Sequence, residues 1–202
     1  MYNRIATGIF DKILSDSITD EAKASICIYG LELIISYFCY MVIYLFVSAV
    51  TNTLLLSLVF FTGFALMRVV GGGFHASTYI KCHILFEITH LIYIAVVKCF
   101  NITFILNVFF IIALFCFTVV FLFSPVDNEN KRLTDREKRH YKIKSRCYVT
   151  LICIVTIILS YIPCCYTVWL SFLIGSCFAS ISILIGTFQQ WLLEIKREEG
   201  KV

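Results

Sequence analysis

The sequence predicts an all-α membrane protein: a polytopic bundle of about six transmembrane helices with an N-terminal amphipathic helix. Hydrophobic residues make up 60% of the chain and charged residues only 15%, whereas soluble domains carry roughly 25% charged residues. Several apolar runs also approach the ~20 residues that a helix needs to cross ~30 Å of hydrocarbon. We therefore expect residues 1–202 to form a single membrane-embedded domain.

The N-terminal segment, residues 1–24, resembles a helix that lies in the membrane interface. Ile5, Ile9 and Ile13 recur at helical spacing against a polar face within residues 3–18, a pattern typical of interfacial helices. Charged residues are spread through the segment, and no short apolar core precedes a cleavage site, so a signal peptide is not expected. We interpret the segment as a juxtamembrane anchor rather than a substrate-binding element.

Six apolar runs follow, and turn-forming residues separate several of them. The second, third and fifth runs are short or interrupted by charge, so each could be tilted or form a half-helix. The runs cover roughly residues 25–50, 54–70, 84–100, 102–123, 147–162 and 166–192.

The distribution of basic residues predicts the orientation in the membrane. With a cytoplasmic N-terminus, one side receives residues 1–24, 68–83, 124–146 and 193–202, and these segments hold sixteen of the seventeen Lys and Arg residues. Lys98 alone remains on the opposite side. This arrangement requires an even number of spans. We expect a multi-pass protein of the cell membrane with both termini in the cytoplasm.

The segment 124–146, expected to be a cytoplasmic loop, is strongly basic. Each such charge near an anionic leaflet contributes about 1 kcal/mol of attraction, so topology and contact with the lipid bilayer explain most of the cluster. Alternatively, the cluster could hold an acidic stretch of a peptide substrate. Nucleic acid is not an expected partner, because the segment lies between two spans and offers few stacking residues. Its basic residues are Lys131, Arg132, Arg136, Lys138, Arg139, Lys142, Lys144 and Arg146.

Residues 68–83, at the predicted cytoplasmic junction of the second and third spans, carry the chemically informative residues. The successive glycines 71–73 each cost a helix roughly 1 kcal/mol relative to alanine and let the backbone turn sharply. Non-helical backbone at membrane depth is tolerated only where it is buried in protein or lines a wet cavity. We therefore expect a helix break and a pocket at this junction.

His75 and Cys82 in this junction are the candidate catalytic pair. Cysteine proteolysis needs a thiolate nucleophile and an imidazole that activates it and later protonates the leaving amine. On one straight helix the seven-residue spacing would separate them by ~10.5 Å along the axis, too far for the direct contact they need. The chain must therefore bend, with His75 in the glycine-rich loop or at the start of a short helix and Cys82 near the beginning of the third span. With ten cysteines in the chain, a packed thiol is the simpler interpretation of Cys82 taken alone.

Arg68, Gly73, His75 and Cys82 at these spacings resemble the signature of the accessory gene regulator B (AgrB) family, membrane peptidases that mature the autoinducing peptides of Gram-positive quorum sensing. The segment 124–131 is similar to that family's Pro-Asp-Asn-Lys type loop. The resemblance implies a thiol protease with Cys82 as nucleophile and His75 as base and acid, a homodimer, and no cofactor. Arg68 would be an essential residue, either structural or bound to a substrate carboxylate.

Glu87 is a candidate supporting residue. His83, Glu87 and His90 form a polar stripe at positions i, i+4 and i+7 of the third span, and ionisable groups in a span face a cavity or a partner. The stripe could orient His75, but an internal, self-satisfied network is the simpler interpretation, because Cys82 points ~100° away from His83 on a helix. A metal site is not expected, since the His-Glu-x-x-His pattern of zinc peptidases is absent.

The same resemblance implies the reaction and the substrate. The protein would be a cysteine endopeptidase that removes the C-terminal extension of an AgrD-like propeptide through an acyl-enzyme thioester. The core of the peptide would then close into a thiolactone or a lactone. A metal-dependent membrane peptidase and a small transporter or channel are the alternatives; no internal repeat supports the latter.

Overall fold

The computed structural model describes residues 2–13, 20–74, 76, 78–99, 109–126, 133–159, 161–162, 165–198 and 200. Within these residues every regular element is an α-helix, which confirms the predicted all-α class. The described helices are α1 (Tyr2–Ile13), α2 (Glu21–Val50), α3 (Leu54–Gly71), α4 (Tyr79–Cys99), α5 (Phe109–Phe123), α6 (Asp135–Leu159) and α7 (Tyr166–Glu198).

Four of these helices are long and apolar enough to cross a membrane: α2, α3, α4 and the part of α7 over Tyr166–Lys196. Helix α5 is apolar but shorter, over Phe110–Phe123. Helix α6 has a basic first half and an apolar second half. The structure thus supports a helical membrane bundle, and the count of six spans stays a prediction.

Two helices begin earlier than the hydropathy pattern suggests, because polar residues cap them. Helix α4 begins at Tyr79 rather than near residue 84, and the Thr78 hydroxyl accepts a hydrogen bond from the Lys81 N–H at 3.3 Å. Helix α6 begins after a capping box, in which Thr134 and Glu137 each accept a hydrogen bond from the other's N–H, at 3.3 and 2.9 Å. The second half of the basic segment 124–146 is therefore helical.

The chain divides into two compact units, one up to Asn52 and one from Thr53 onwards. In the first unit α1 packs against α2, with Ala6 and Phe10 buried and Ile13 exposed. This agrees with the predicted amphipathic helix, of which residues 14–18 lie outside the described part. Asp20 caps the N-terminus of helix α2, and its side chain accepts a hydrogen bond from the Ala22 N–H at 2.9 Å.

The core of the second unit is the contact between α3 and α7, where glycines let the two backbones touch. A Cβ atom at Gly63 would clash with the carbonyl oxygen of Phe172, and one at Gly175 would clash with that of Phe60. Lipid tails are as apolar as leucine, so helices in a bilayer associate through such close packing rather than through the hydrophobic effect. Helix α5 packs against both α6 and α7.

Helix α4, which carries Cys82, joins this core through large side chains. Phe60 of α3 stacks on Tyr93 with ring centroids 4.4 Å apart, and Phe64 meets the edge of Phe86 at 4.5 Å. The Tyr93 hydroxyl donates a hydrogen bond to the Ser171 Oγ of α7 at 2.8 Å. These contacts hold the middle of α4 against α3 and α7.

We expect Gly175→Ala to lower the stability of the protein. The added Cβ would meet the backbone of α3 at Phe60 and Phe64, and overpacking of this kind costs about 1–3 kcal/mol. The midpoint of thermal unfolding in detergent measures the effect. Gly30→Ala is the matched control, because nothing lies within 4 Å of a Cβ at that position of α2. Equal midpoints for the two variants would contradict the packing described here.

Candidate active site

The predicted break of the second span is present as a tight loop, here called the glycine loop (residues 71–74). Helix α3 ends at Gly71, and the Gly72 N–H donates to the Arg68 carbonyl oxygen at 3.0 Å. Gly72 and Gly73 have φ angles of 72° and 127°, in a region that residues with a Cβ rarely adopt. The backbone conformation therefore requires glycine at positions 72 and 73.

The glycine loop is held between helix α7 and the segment that follows α5. The Val126 N–H donates to the Gly71 carbonyl oxygen at 3.1 Å, and the Phe74 N–H donates to the Ser182 carbonyl oxygen of α7 at 2.8 Å. A Cβ at Gly186 would lie 2.7 Å from the Phe74 nitrogen. Close approach from both sides thus buries Gly71 and Gly73 and pairs the Gly71 carbonyl and the Phe74 N–H.

Arg68, in the last turn of α3, points its guanidinium into the same loop. Its Nη1 donates to the Gly72 carbonyl oxygen at 3.1 Å and to the Ser182 Oγ at 2.8 Å. Its Nη2 donates to the carbonyl oxygen of Phe74. A Cβ at Gly73 would clash with Nη1, so glycine at this position makes room for the guanidinium. Arg68 and Gly73, both predicted site residues, therefore meet in the structure.

Cys82 lies in the first turn of α4, as predicted, with a half-buried side chain. Its N–H donates to the Thr78 carbonyl oxygen at 3.1 Å, the first hydrogen bond of the helix. His75 lies outside the described residues, so its distance from Cys82 stays a prediction. His75 directly follows Phe74, whose backbone is fixed, and the connection from Phe74 to α4 has only residues 75–78.

Glu87 belongs to a polar network that joins α3 and α4. Its carboxylate lies 3.2 Å from His90 Nδ1, and His90 Nε2 lies 3.0 Å from the Ser57 Oγ. Ser57 also exchanges a hydrogen bond with the Thr53 hydroxyl at 3.1 Å. This geometry is that of an internal network, and a role of Glu87 in orienting His75 stays a prediction.

The sequence did not mark four of these residues as site or network residues: Ser182, Gly186, Ser57 and Thr53. Ser182 and Gly186 are four positions apart on α7, and small residues at that spacing in a span indicate a close helix contact. That pattern could have predicted that α7 packs closely against another segment. It could not have predicted that this segment is the glycine loop. Among the described residues, which exclude His75, no group of three or more His, Cys, Asp or Glu side chains could hold a metal ion.

Comparison with known families gives one result. The family model described as accessory gene regulator B (AgrB) matches residues 3–189, nearly the whole chain. No curated protein and no solved structure matches the chain.

Ser57→Ala should destabilise the bundle by about 1 kcal/mol, the scale of interhelical hydrogen bonds in membranes. The change leaves His90 Nε2 and the Thr53 hydroxyl without their Ser57 partner. Thr62→Ala is the control, because the Thr62 hydroxyl is exposed and donates to the Leu58 carbonyl oxygen of its own helix. The midpoints of thermal unfolding of the two variants check the prediction. Equal decreases in the midpoint would contradict a stabilising role for the network.

Proposed function

The chain belongs to the accessory gene regulator B family, and we propose on that basis that it is a membrane-embedded cysteine endopeptidase. Family membership places the protein in the maturation of an accessory gene regulator peptide. The finer proposal assigns Cys82 as the nucleophile and His75 as its general base and acid. The observation that carries it is the fixed glycine loop, which ends one residue before His75 and a short connection away from Cys82.

Cys82 is the fourth residue of α4 and so lies close to the N-terminus of that helix. In the proposed pair, the imidazole of His75 takes the thiol proton of Cys82 and so generates the thiolate nucleophile. The proposal therefore requires the sulfur and a ring nitrogen of His75 to lie within hydrogen-bond reach of each other.

In the first chemical step, the Cys82 thiolate attacks the carbonyl carbon at the end of the propeptide core. The carbon–nitrogen bond breaks, a carbon–sulfur bond forms, and the leaving amine takes a proton from the His75 imidazolium. The products are the free C-terminal extension and an acyl-enzyme thioester on Cys82. The imidazole is then neutral and able to accept a proton.

In the second step, a cysteine or serine side chain of the bound core attacks the thioester carbonyl. Its proton passes to His75, the ring closes as a thiolactone or a lactone, and the Cys82 thiolate leaves. Exchange of one thioester for another needs no external energy source, provided that water does not hydrolyse the acyl-enzyme first. The half-buried position of Cys82 supports such shelter.

The proposed substrate is an AgrD-like propeptide with an acidic C-terminal extension, and the basic half of α6 is its proposed binding surface. Arg139 and Lys142 lie three positions apart on this helix, and both are exposed. The helical form of the segment presents these charges on one side at regular spacing. We further propose that both termini and the active site face the cytoplasm, as the basic residues predict, and that the protein acts as a homodimer.

Replacing either member of the pair should abolish cleavage. Cys82→Ala removes the nucleophile and His75→Ala removes the proton carrier, so release of the C-terminal fragment should stop, while chelators leave the wild-type reaction unchanged. Mass spectrometry of purified protein with its propeptide measures both the fragment and the covalent adduct. Cys99→Ala, an exposed cysteine at the opposite end of α4 from Cys82, is the matched control. A Cys82→Ala variant that still cleaves, or an adduct on another cysteine, rules out the assignment.

Charge reversal on α6 should weaken substrate binding. With Arg139→Glu and Lys142→Glu together, we expect KM to rise about tenfold or more at low salt with kcat little changed, since each charge near the substrate contributes about 1 kcal/mol. Added salt should raise the wild-type KM and affect the variant less. Lys196→Glu, an exposed charge change near the end of α7, is the control. An unchanged KM would mean that the basic residues of α6 do not bind the substrate and serve only membrane topology and lipid contact.

A further inference from the structure

The contacts of Arg68 and Ser182 favour one of the two roles that the sequence leaves open for the arginine. We infer that Arg68 and Ser182 are positioning residues, which place His75 by fixing the glycine loop, and that the Arg68 guanidinium does not hold the substrate. This inference rests on the proposed function, since it concerns the same catalytic pair. Ser182 is a site residue that the motif in residues 68–83 does not include.

The donors of Arg68 are directed at the protein itself. A guanidinium binds a carboxylate through two parallel N–H groups on neighbouring nitrogens. In the structure Nη1 donates to two acceptors, the Gly72 carbonyl oxygen and the Ser182 Oγ, and Nη2 donates to the carbonyl oxygen of Phe74. Both N–H groups of Nη1 are used in this way, so a substrate carboxylate that bound through Nη1 would have to displace these bonds, and the glycine loop would lose part of its charged donor.

The loop carbonyls need such a donor because α3 ends at this point. The last carbonyl groups of a helix have no partner within it, and an unpaired carbonyl away from water is costly. The Gly71 carbonyl is paired with the Val126 N–H, and Arg68 supplies the partners of Gly72 and Phe74. One side chain thus allows the backbone to leave the helix and remain hydrogen-bonded.

Ser182 completes the arrangement by acting on both sides of Phe74. Its carbonyl oxygen accepts from the Phe74 N–H at 2.8 Å, and its hydroxyl accepts from Arg68 Nη1, also at 2.8 Å. Arg68 in turn binds the Phe74 carbonyl. Both polar backbone groups of Phe74 are therefore held. Because a peptide unit is planar, a fixed Phe74 carbonyl also sets the direction in which the chain continues towards His75.

A positioning role and a substrate-binding role predict different kinetics. Lysine at position 68 keeps the positive charge but loses the planar fork, so it cannot reproduce the three contacts of the guanidinium from two fixed nitrogens. If Arg68 positions His75, Arg68→Lys should lower kcat at least about tenfold with KM nearly unchanged, because small displacements of catalytic groups are costly. If Arg68 binds the substrate, Arg68→Lys should raise KM and leave kcat nearly unchanged.

Ser182→Ala provides a second, milder variant. It removes the hydroxyl that orients Nη1 and keeps the carbonyl bond to Phe74, so kcat should fall by less than in Arg68→Lys. Ser180→Ala is the matched control on the same helix, because that hydroxyl bonds to the Ser176 carbonyl oxygen of its own helix at 2.9 Å. Wild-type kinetics in Ser182→Ala would overturn the role of Ser182.

A second measurement separates a positioning role from a general loss of fold. It is the pH dependence of Cys82 alkylation by iodoacetamide, measured on full-length protein in lipid nanodiscs without substrate. Mass spectrometry assigns the modified cysteine. In wild-type protein the half-maximal alkylation rate should occur at a lower pH than in His75→Ala. In Arg68→Lys and Ser182→Ala the profile should shift towards that of His75→Ala, while thermal unfolding shows each variant folded.

The outcomes distinguish the two proposals. If wild type and His75→Ala give the same profile, the thiol and the imidazole are not paired, and the proposed function fails whatever Arg68 does. If His75 matters but the profiles of Arg68→Lys and Ser182→Ala match the wild type, the positioning inference fails and the peptidase assignment stands. If Arg68→Lys does not fold, Ser182→Ala alone decides the inference by the same profile.

Discussion

Backbone groups that leave a helix inside a packed bundle have little access to water, so the protein itself must supply their hydrogen-bond partners. The glycine loop meets this constraint with three separate sources: the Val126 N–H, the carbonyl of Ser182 and the guanidinium of Arg68. Each source comes from a different part of the second unit. The need to satisfy one short stretch of backbone therefore fixes how α3, α7 and the segment after α5 meet.

This arrangement depends on how closely α3 and α7 approach. Gly63 and Gly175 remove the side chains that would keep the two backbones apart. Further along α7, Ser182 and Gly186 then come within reach of the glycine loop. A larger distance between the helices would break the Phe74–Ser182 hydrogen bond and expose polar backbone. The close packing of α3 against α7 therefore also determines the shape of the site.

Much of the fold follows from local sequence signals. The apolar runs, the amphipathic helix α1, the break at the glycines and the position of Cys82 near the start of a helix are local properties, and the structure agrees with each. Helices α4 and α6 begin before their apolar runs, because capping by Thr78 and Thr134 extends the helices into polar sequence. His75 and the number of spans stay predictions.

The sequence could not predict which distant residues contact the site, and the reason is physical. Ser182 is 114 positions from Arg68, and a serine in an apolar run gives no sign of which distant residue it contacts. The same holds for Ser57 and His90, whose hydrogen bond joins two spans. Hydropathy reports whether a segment tolerates lipid, whereas these contacts depend on the rotation of each helix about its axis. A single sequence does not encode that rotation in any local pattern.

The attachment of α4 by aromatic rings has a consequence for the range of peptides the protein can process. Stacked rings tolerate small sliding movements, whereas interlocked backbones such as those of α3 and α7 do not. If Cys82 and His75 form the proposed pair, the sulfur belongs to the helix that can shift and the imidazole follows the loop that is fixed. Such a site would accommodate peptide cores of differing bulk by small adjustments of one helix, without rebuilding the loop.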